Sequence, residues 1–210
     1  MIYTFVSDIS DIDGAAARRE LSDGPLYPHL DGGTPERVGA YLLLHRALKS
    51  VTGGKITEPI IREAGGRLRP SGSLSHISIS LSHTDTLAAC SVCVDGGDVG
   101  VDIEREHEVK NEKKIYDRLL KNVNQNLQAL EEKTHTLSLC EGACAKVAED
   151  GFFTRWTRLE ALLKADGGGF GSLCKIADII PATKAESFLI KYKGERYYIS
   201  VAAIKKGSLV

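Results

Sequence analysis

Two carboxylates one residue apart set the first chemical question. They are Asp102 and Glu104 in "VGVDIEREHE" (99–108). The alternation predicts a strand in which Val99, Val101 and Ile103 share one face, and Gly100, Asp102 and Glu104 the other. On such a strand the two acidic α-carbons lie roughly 6–7 Å apart. Neighbouring carboxylates repel unless a positive charge stands between them. A pair like this can converge on a hard cation that prefers oxygen, with Mg2+ first in line, and such an ion takes its remaining ligands from water and substrate phosphates. The plain alternative is a solvated strand end, since Arg105 and Glu106 follow at once.

Three other places carry chemistry of the same kind. In "FFTRWTRLEALLKADGGG" (152–169) the positions Phe152, Trp156, Leu159 and Leu163 form one apolar helix face, with Glu160 and Lys164 one turn apart on its border. That pair is either a surface ion pair or a third carboxylate plus a cation beside a pyrophosphate. In "SISLSHTD" His83, preceded by Ser82, comes immediately after a strand, where a histidine is either structural or exposed, or a donor to a phosphate at a strand-end loop. Arg37 and Arg46 sit nine apart on a predicted helix, and Arg69 precedes Pro70. Their forked donors suit phosphate oxygens, although single arginines are commonly just solvated.

The elements that must position these groups follow from pattern. "IYTFVS" reads as a strand, followed by a Gly-, Asp- and Pro-rich loop to about residue 33. "TPERVGAYLLLHRALKSVTGG" is a helix with Thr34 as N-cap, Pro35 at its first position and Gly53–Gly54 as the stop. "EPIIREAGG" (58–66) reads as a second, short helix. "SLSHISISL", "TLAACSVCV" and "DVGVDIE" are strands, and "DGGD" (95–98) is read as a hairpin turn joining the last two. From about 108 to 150 the chain is polar with helical tendency, and its 108–135 part suggests a mobile loop or a docking surface. "ESFLIKYKGERYYISVAAI" reads as a hairpin turning at Lys193–Gly194. The order predicts an α+β fold of two similar lobes, residues 1–98 and 99–210, each a small antiparallel sheet packed with helices and related by a pseudo-twofold, with the active site between them.

Composition narrows the partners. The chain has 210 residues, of which 42% are hydrophobic, enough for a real core, and its net charge of −1 offers no general field for nucleic acid or membrane. Any polyanion site must be local. The five cysteines are odd in number and dispersed, and Cys90 and Cys93 fall on opposite faces of a strand, which suits free thiols better than a zinc or redox pair. "MIYTFVSDISDIDG" does not read as a signal peptide, and no stretch reaches the roughly 20 apolar residues of a membrane span. A cytoplasmic protein is the expectation.

The order of the motifs is more specific than any one of them. "SLSH" (80–83), then "VGVDIE", then "RWTRLEALLKADGGG", resembles the 4'-phosphopantetheinyl transferase superfamily, and within it the two-lobed, single-chain surfactin type. That family's pattern runs roughly SxSH, then G-[IV]-D-[IV]-E, then W-[ST]-x-K-E-[AS]-x-x-K-x-x-G. The likeness spans about residues 78–170 and extends to "ERVGAYLLLHRAL" and "RLRP".

The resemblance implies transfer of the phosphopantetheine arm of coenzyme A to a serine of an acyl or peptidyl carrier protein, releasing adenosine 3',5'-bisphosphate. By position, Asp102, Glu104 and Glu160 would hold Mg2+. Lys164 would neutralise the pyrophosphate, Ser82 and His83 would bind coenzyme A phosphate, and Arg37 and Arg69 would lie near the 3'-phosphate. Glu160 or a metal-bound water is the base expected for the serine proton. A monomer is expected, because both lobes lie in one chain. Two departures stand out. Leu159 replaces the family lysine before Glu160, and Arg158 lies about 160° around the helix from Glu160. The phenylalanine-rich segment that often serves carrier docking is not obvious in 110–136. Two rivals therefore stay open: a degenerate relative that binds coenzyme A or a carrier without efficient transfer, and an unrelated α+β enzyme using the carboxylates for other metal-assisted phosphate chemistry.

Overall fold

A computed structural model describes residues 1–22, 30, 33–54, 56–63, 66–120, 135–139, 143–146, 151–175 and 183–204. Strand β1 (Ile2–Asp8) opens the chain. Helix α1 (Gly14–Ser22) follows, where the sequence suggested only loop. Asp13 caps it, its Oδ1 accepting from the N–H groups of Ala15 (2.9 Å) and Ala16 (3.2 Å), and the run "AAARREL" then propagates it. Helix α2 (Pro35–Thr52) has the anticipated ends: Thr34 Oγ1 accepts from the Arg37 N–H, and Gly53 closes it at φ 66°. That left-handed conformation is the one glycine adopts without strain.

The expected helix at 58–66 is not formed. Ile60–Arg62 is strand β2, antiparallel to β3 (Leu68–Pro70). Tandem β-branched isoleucines favour the extended chain, and Ile60 is buried in the core. Strands β5 (Leu87–Cys93) and β6 (Asp98–Arg105) fall where expected, whereas β4 (Ser78–His83) covers only the end of the expected "SLSHISISL" strand, whose start lies in a turn of 3-10 helix at Gly72–Leu74. However, "DGGD" does not close a hairpin between β5 and β6. β5 pairs with β1 and β4, whereas β6 pairs with β10 (Glu195–Ile204), so the turn carries the chain from one sheet into the other.

Among the described residues of 108–150, the expected helical tendency is met by a turn of helix, α3 (Glu112–Ile115), which runs on into a wider helical turn at Tyr116–Leu120. His135–Leu139 and Ala143–Lys146 are instead strands β7 and β8. The polar piece 121–134 lies outside the described residues. Helix α4 (Phe152–Asp166) ends at Gly167 with φ 83°. Strand β9 (Thr183–Tyr192) pairs with β10 around the Lys193–Gly194 turn.

The class is mixed α+β. One sheet has strand order β4-β5-β1-β7 and the other β6-β10-β9-β8, with the β2–β3 pair apart. Among the described residues all pairings are antiparallel except β1 with β7, through which the second half of the chain contributes a strand to the first sheet. Alternation along the strands makes three apolar layers. Ala88, Cys90 and Val92 of β5 pack against α2, while Leu87, Ala89 and Cys93 meet Val99, Val101 and Ile103 of β6 and Ile199 and Val201 of β10. The outer face of the second sheet, with Ala185, Ala202 and Ile204, is covered by Leu159, Leu162 and Leu163 of α4. Cys90 and Cys93 are free and lie on opposite faces, as alternation requires. Cys140 lies outside the described residues. Among the described residues no helix is long and apolar enough to cross a membrane.

Candidate functional site

The seam between the two sheets is stitched by alternate serines of β4. Ser78 Oγ accepts from Val99 N–H (3.1 Å) and Ser80 Oγ from Val101 N–H (2.9 Å). Two residues on, Ser82 Oγ donates to Asp102 Oδ1 at 2.9 Å. The period of two in "SISLS" (78–82) thus places all three serines toward β6.

On the other side of β6, Gly100 allows strand and helix backbones to touch. A Cβ there would lie 1.9 Å from the Ala161 carbonyl oxygen and 2.6 Å from the Ala165 nitrogen. Gly100, Asp102 and Glu104 share that face, so the close approach brings both carboxylates against the α4 face that carries Glu160 and Lys164. Hydroxyl groups hold the same helix to the sheet further along. Thr157 Oγ1 lies 2.7 Å from Ser200 Oγ, and Ser200 is the cross-strand partner of Asp102.

Lys164 Nζ donates to Asp102 Oδ1 at 2.7 Å and to Ser82 Oγ at 3.0 Å. Asp102 is 2% exposed, and its Oδ2 is buried with no hydrogen-bond partner. Burial pushes the Glu160 carboxyl up to about 7, and the charges of Asp102 and Glu104 push the same way, against Lys164. Burial and the Asp102 charge also raise Glu104, opposed by His107, Lys164 and a hydrogen bond from the Trp156 indole. Asp102, Glu104 and Glu160 therefore feel one another's charge. Even with Lys164 counted, the group keeps a net negative charge when all are ionised. A hard divalent cation suits this donor set, and the partnerless Asp102 oxygen is an acceptor still to be used. Among the described residues no three His, Cys, Asp or Glu side chains are already drawn together as a ligand set, and the cation on Asp102 is Lys164.

Beside the carboxylates opens a cavity of about 400 Å³ between the two halves of the chain. Arg37, Arg62, Arg67, His83 and Lys164 line it, and among the described residues Glu160 is the only acidic one on its wall. Arg62 spends its donors on neutral groups, the Tyr41 hydroxyl (3.0 Å) and the Gly66 carbonyl (3.2 Å). Arg67 reaches across to α4, donating to the Lys164 carbonyl (3.3 Å) and that of Ala165, and pairs with Asp98 at 3.2 Å. A positive chamber thus adjoins a negative corner, with Lys164 at their boundary. Such a charge distribution suits a polyanion, and with a net charge near zero any such site has to be local.

No protein-family model matches the chain, and no curated protein matches it. The site stands on its own geometry.

Of the residues singled out in the sequence, Asp102, Glu104, Glu160, Lys164, Ser82, His83 and Arg37 come together around the cavity and its acidic corner. Arg69 does not line the cavity; Glu63 (3.0 Å) and Asp98 (3.4 Å) hold its guanidinium. Arg46 pairs with Glu20 at 2.8 Å, away from the cavity. Leu159 is fully buried in the core under α4, and Arg158 turns to Ser187 (2.7 Å) rather than to Glu160.

Sequence reasoning missed Arg62, Arg67 and the polar use of Trp156. Arg67, just before β3, and Arg69 within it are two residues apart, a spacing that groups them on one side of an extended chain. Arg62 falls in the stretch that reads as a short helix, and only the β2–β3 pairing turns it toward the cavity. Gly100 carried a usable signal, because an isolated glycine inside a strand marks a close backbone approach.

Proposed function

We propose that this chain is a phosphopantetheinyl transferase of the two-lobed type. It would move 4'-phosphopantetheine from coenzyme A to a serine of an acyl or peptidyl carrier protein, acting as a cytoplasmic monomer with Mg2+. One observation carries the reading beyond the motif resemblance: a cation-lined cavity of about 400 Å³ shares Lys164 with three mutually repelling carboxylates. A ligand with several phosphates suits the first half, and a divalent cation the second. Two four-stranded sheets, each backed by a long helix, are the layout such a two-lobed chain would have.

Arg37, Arg62 and His83 would hold the phosphates at the adenosine end. Lys164 would sit beside the pyrophosphate, where charge builds on the equatorial oxygens during attack. Mg2+ held by Asp102, Glu104 and Glu160 would supply further neutralisation of those oxygens when bound. The carrier serine oxygen bonds to the phosphorus next to pantetheine, the bond to the bridging oxygen breaks, and adenosine 3',5'-bisphosphate leaves with that electron pair. The serine proton would pass to Glu160, the carboxylate on the cavity wall.

Leu159 favours a second reading, binding without efficient transfer, because the family pattern has a lysine where this chain has a core residue. Intact-mass spectrometry of an apo carrier incubated with coenzyme A, Mg2+ and the protein separates the two. A phosphopantetheine adduct is expected. Coenzyme A binding with no adduct on fatty-acid, polyketide or peptide carriers would replace transfer by the second reading.

A further inference from the structure

We propose that Lys164 is a tethered counter-ion that competes with the divalent cation for Asp102, so that the protein is held in order before metal arrives. The inference rests on the metal reading of the carboxylate corner. In the structure one positive charge already serves that corner. Lys164 Nζ lies 2.7 Å from Asp102 Oδ1, and Ser82 bridges the pair by donating to Asp102 (2.9 Å) and accepting from Lys164 (3.0 Å). Asp102 is buried, and a buried carboxylate without a partner is unstable. Lys164 supplies that partner from the end of a flexible stem. Its side chain is 32% exposed and lines the cavity, so it can swing from Asp102 to a ligand phosphate without unfolding α4.

A divalent cation on the same carboxylate would place two positive centres on one small group. Their repulsion weakens metal binding for as long as Lys164 stays. Two cations, one mobile and tethered, the other free in solution, therefore contend for Asp102. Removing the lysine charge should strengthen metal binding while weakening the metal-free fold.

Calorimetric titration of the ligand-free protein with MnCl2 or MgCl2 tests this without any turnover. Lys164→Gln is expected to bind the metal at least tenfold more tightly than the parent, and Lys164→Arg, which keeps the charge, within threefold of it. Equal or weaker binding by folded Lys164→Gln would overturn the competition and leave the metal site standing. Failure of the parent and both variants to bind metal at millimolar concentrations would overturn the site itself, and the competition with it. If Lys164→Gln does not fold, acetylation of Lys164 in the unaltered protein, followed by peptide mass, gives the answer. Saturating metal is expected to speed it severalfold, and an unchanged rate refutes the displacement.

Discussion

Near pH 7 about half of the Glu160 carboxyls in the folded, metal-free protein carry a proton, whereas an unfolded chain ionises them near 4.5. Between those values the folded state binds more protons, so stability falls as pH rises from about 4.5 to 7 and levels off above. Glu160 is only half-buried, so solvent screening reduces the effect to about 1–2 kcal/mol. Glu160→Gln should therefore be more stable than the parent by about that amount at pH 7.5 in EDTA, and level with it near pH 4.5. Urea unfolding at the two pH values reads the difference, and a gap that does not change with pH would contradict the shift. Leu159 makes a second claim at this scale. Because it is fully buried, Leu159→Lys should cost about 3 kcal/mol or more and should not raise any transfer rate. A stable variant with faster transfer would mean that position 159 faces the site rather than the core.

At the scale of elements, Gly100 decides whether β6 and α4 can meet. Gly100→Ala should destabilise the protein by about 3 kcal/mol, since its new methyl overlaps the Ala161 carbonyl and only a shift of α4 relieves the clash. Thermal unfolding measures it, and a loss below about 0.5 kcal/mol would mean that the contact is looser than the structure has it. Which elements were legible in the sequence follows from the same local physics. α2 and α4 announce themselves, through Thr34, Pro35 and Gly53 in one case and an apolar stripe closed by Gly167 in the other. β2 did not, because three residues are too few to show alternation. "DGGD" was misread for a deeper reason: a tight turn fixes a change of direction but not which neighbour a strand selects. β7 pairs in parallel with β1, about 130 residues away, a relation no local pattern encodes. The site was more legible than the topology, since Asp102, Glu104, Glu160 and Lys164 are spaced by strand and helix periods. The cavity wall from β2 and β3 was not, because its grouping depends on that unread pairing.

For the whole molecule, the seam between the two sheets is both the main junction and the wall of the site. Ser80 is the middle stitch. Ser80→Ala leaves the buried Val101 N–H without its acceptor, so about 1–3 kcal/mol should be lost. Urea unfolding followed by Trp156 fluorescence checks this, and a variant as stable as the parent would show that the stitch contributes nothing net. The same seam carries the account of function, because it sets the positive cavity beside the acidic corner. The measurement that bears on it most directly is the intact mass of an apo carrier after incubation with coenzyme A and either the parent protein or Asp102→Asn, each with Mg2+ and with EDTA. The account predicts the phosphopantetheine adduct with the parent and Mg2+, and at least a hundredfold less in EDTA or with Asp102→Asn under any condition. An adduct formed as readily by Asp102→Asn, or by the parent in EDTA, would contradict it.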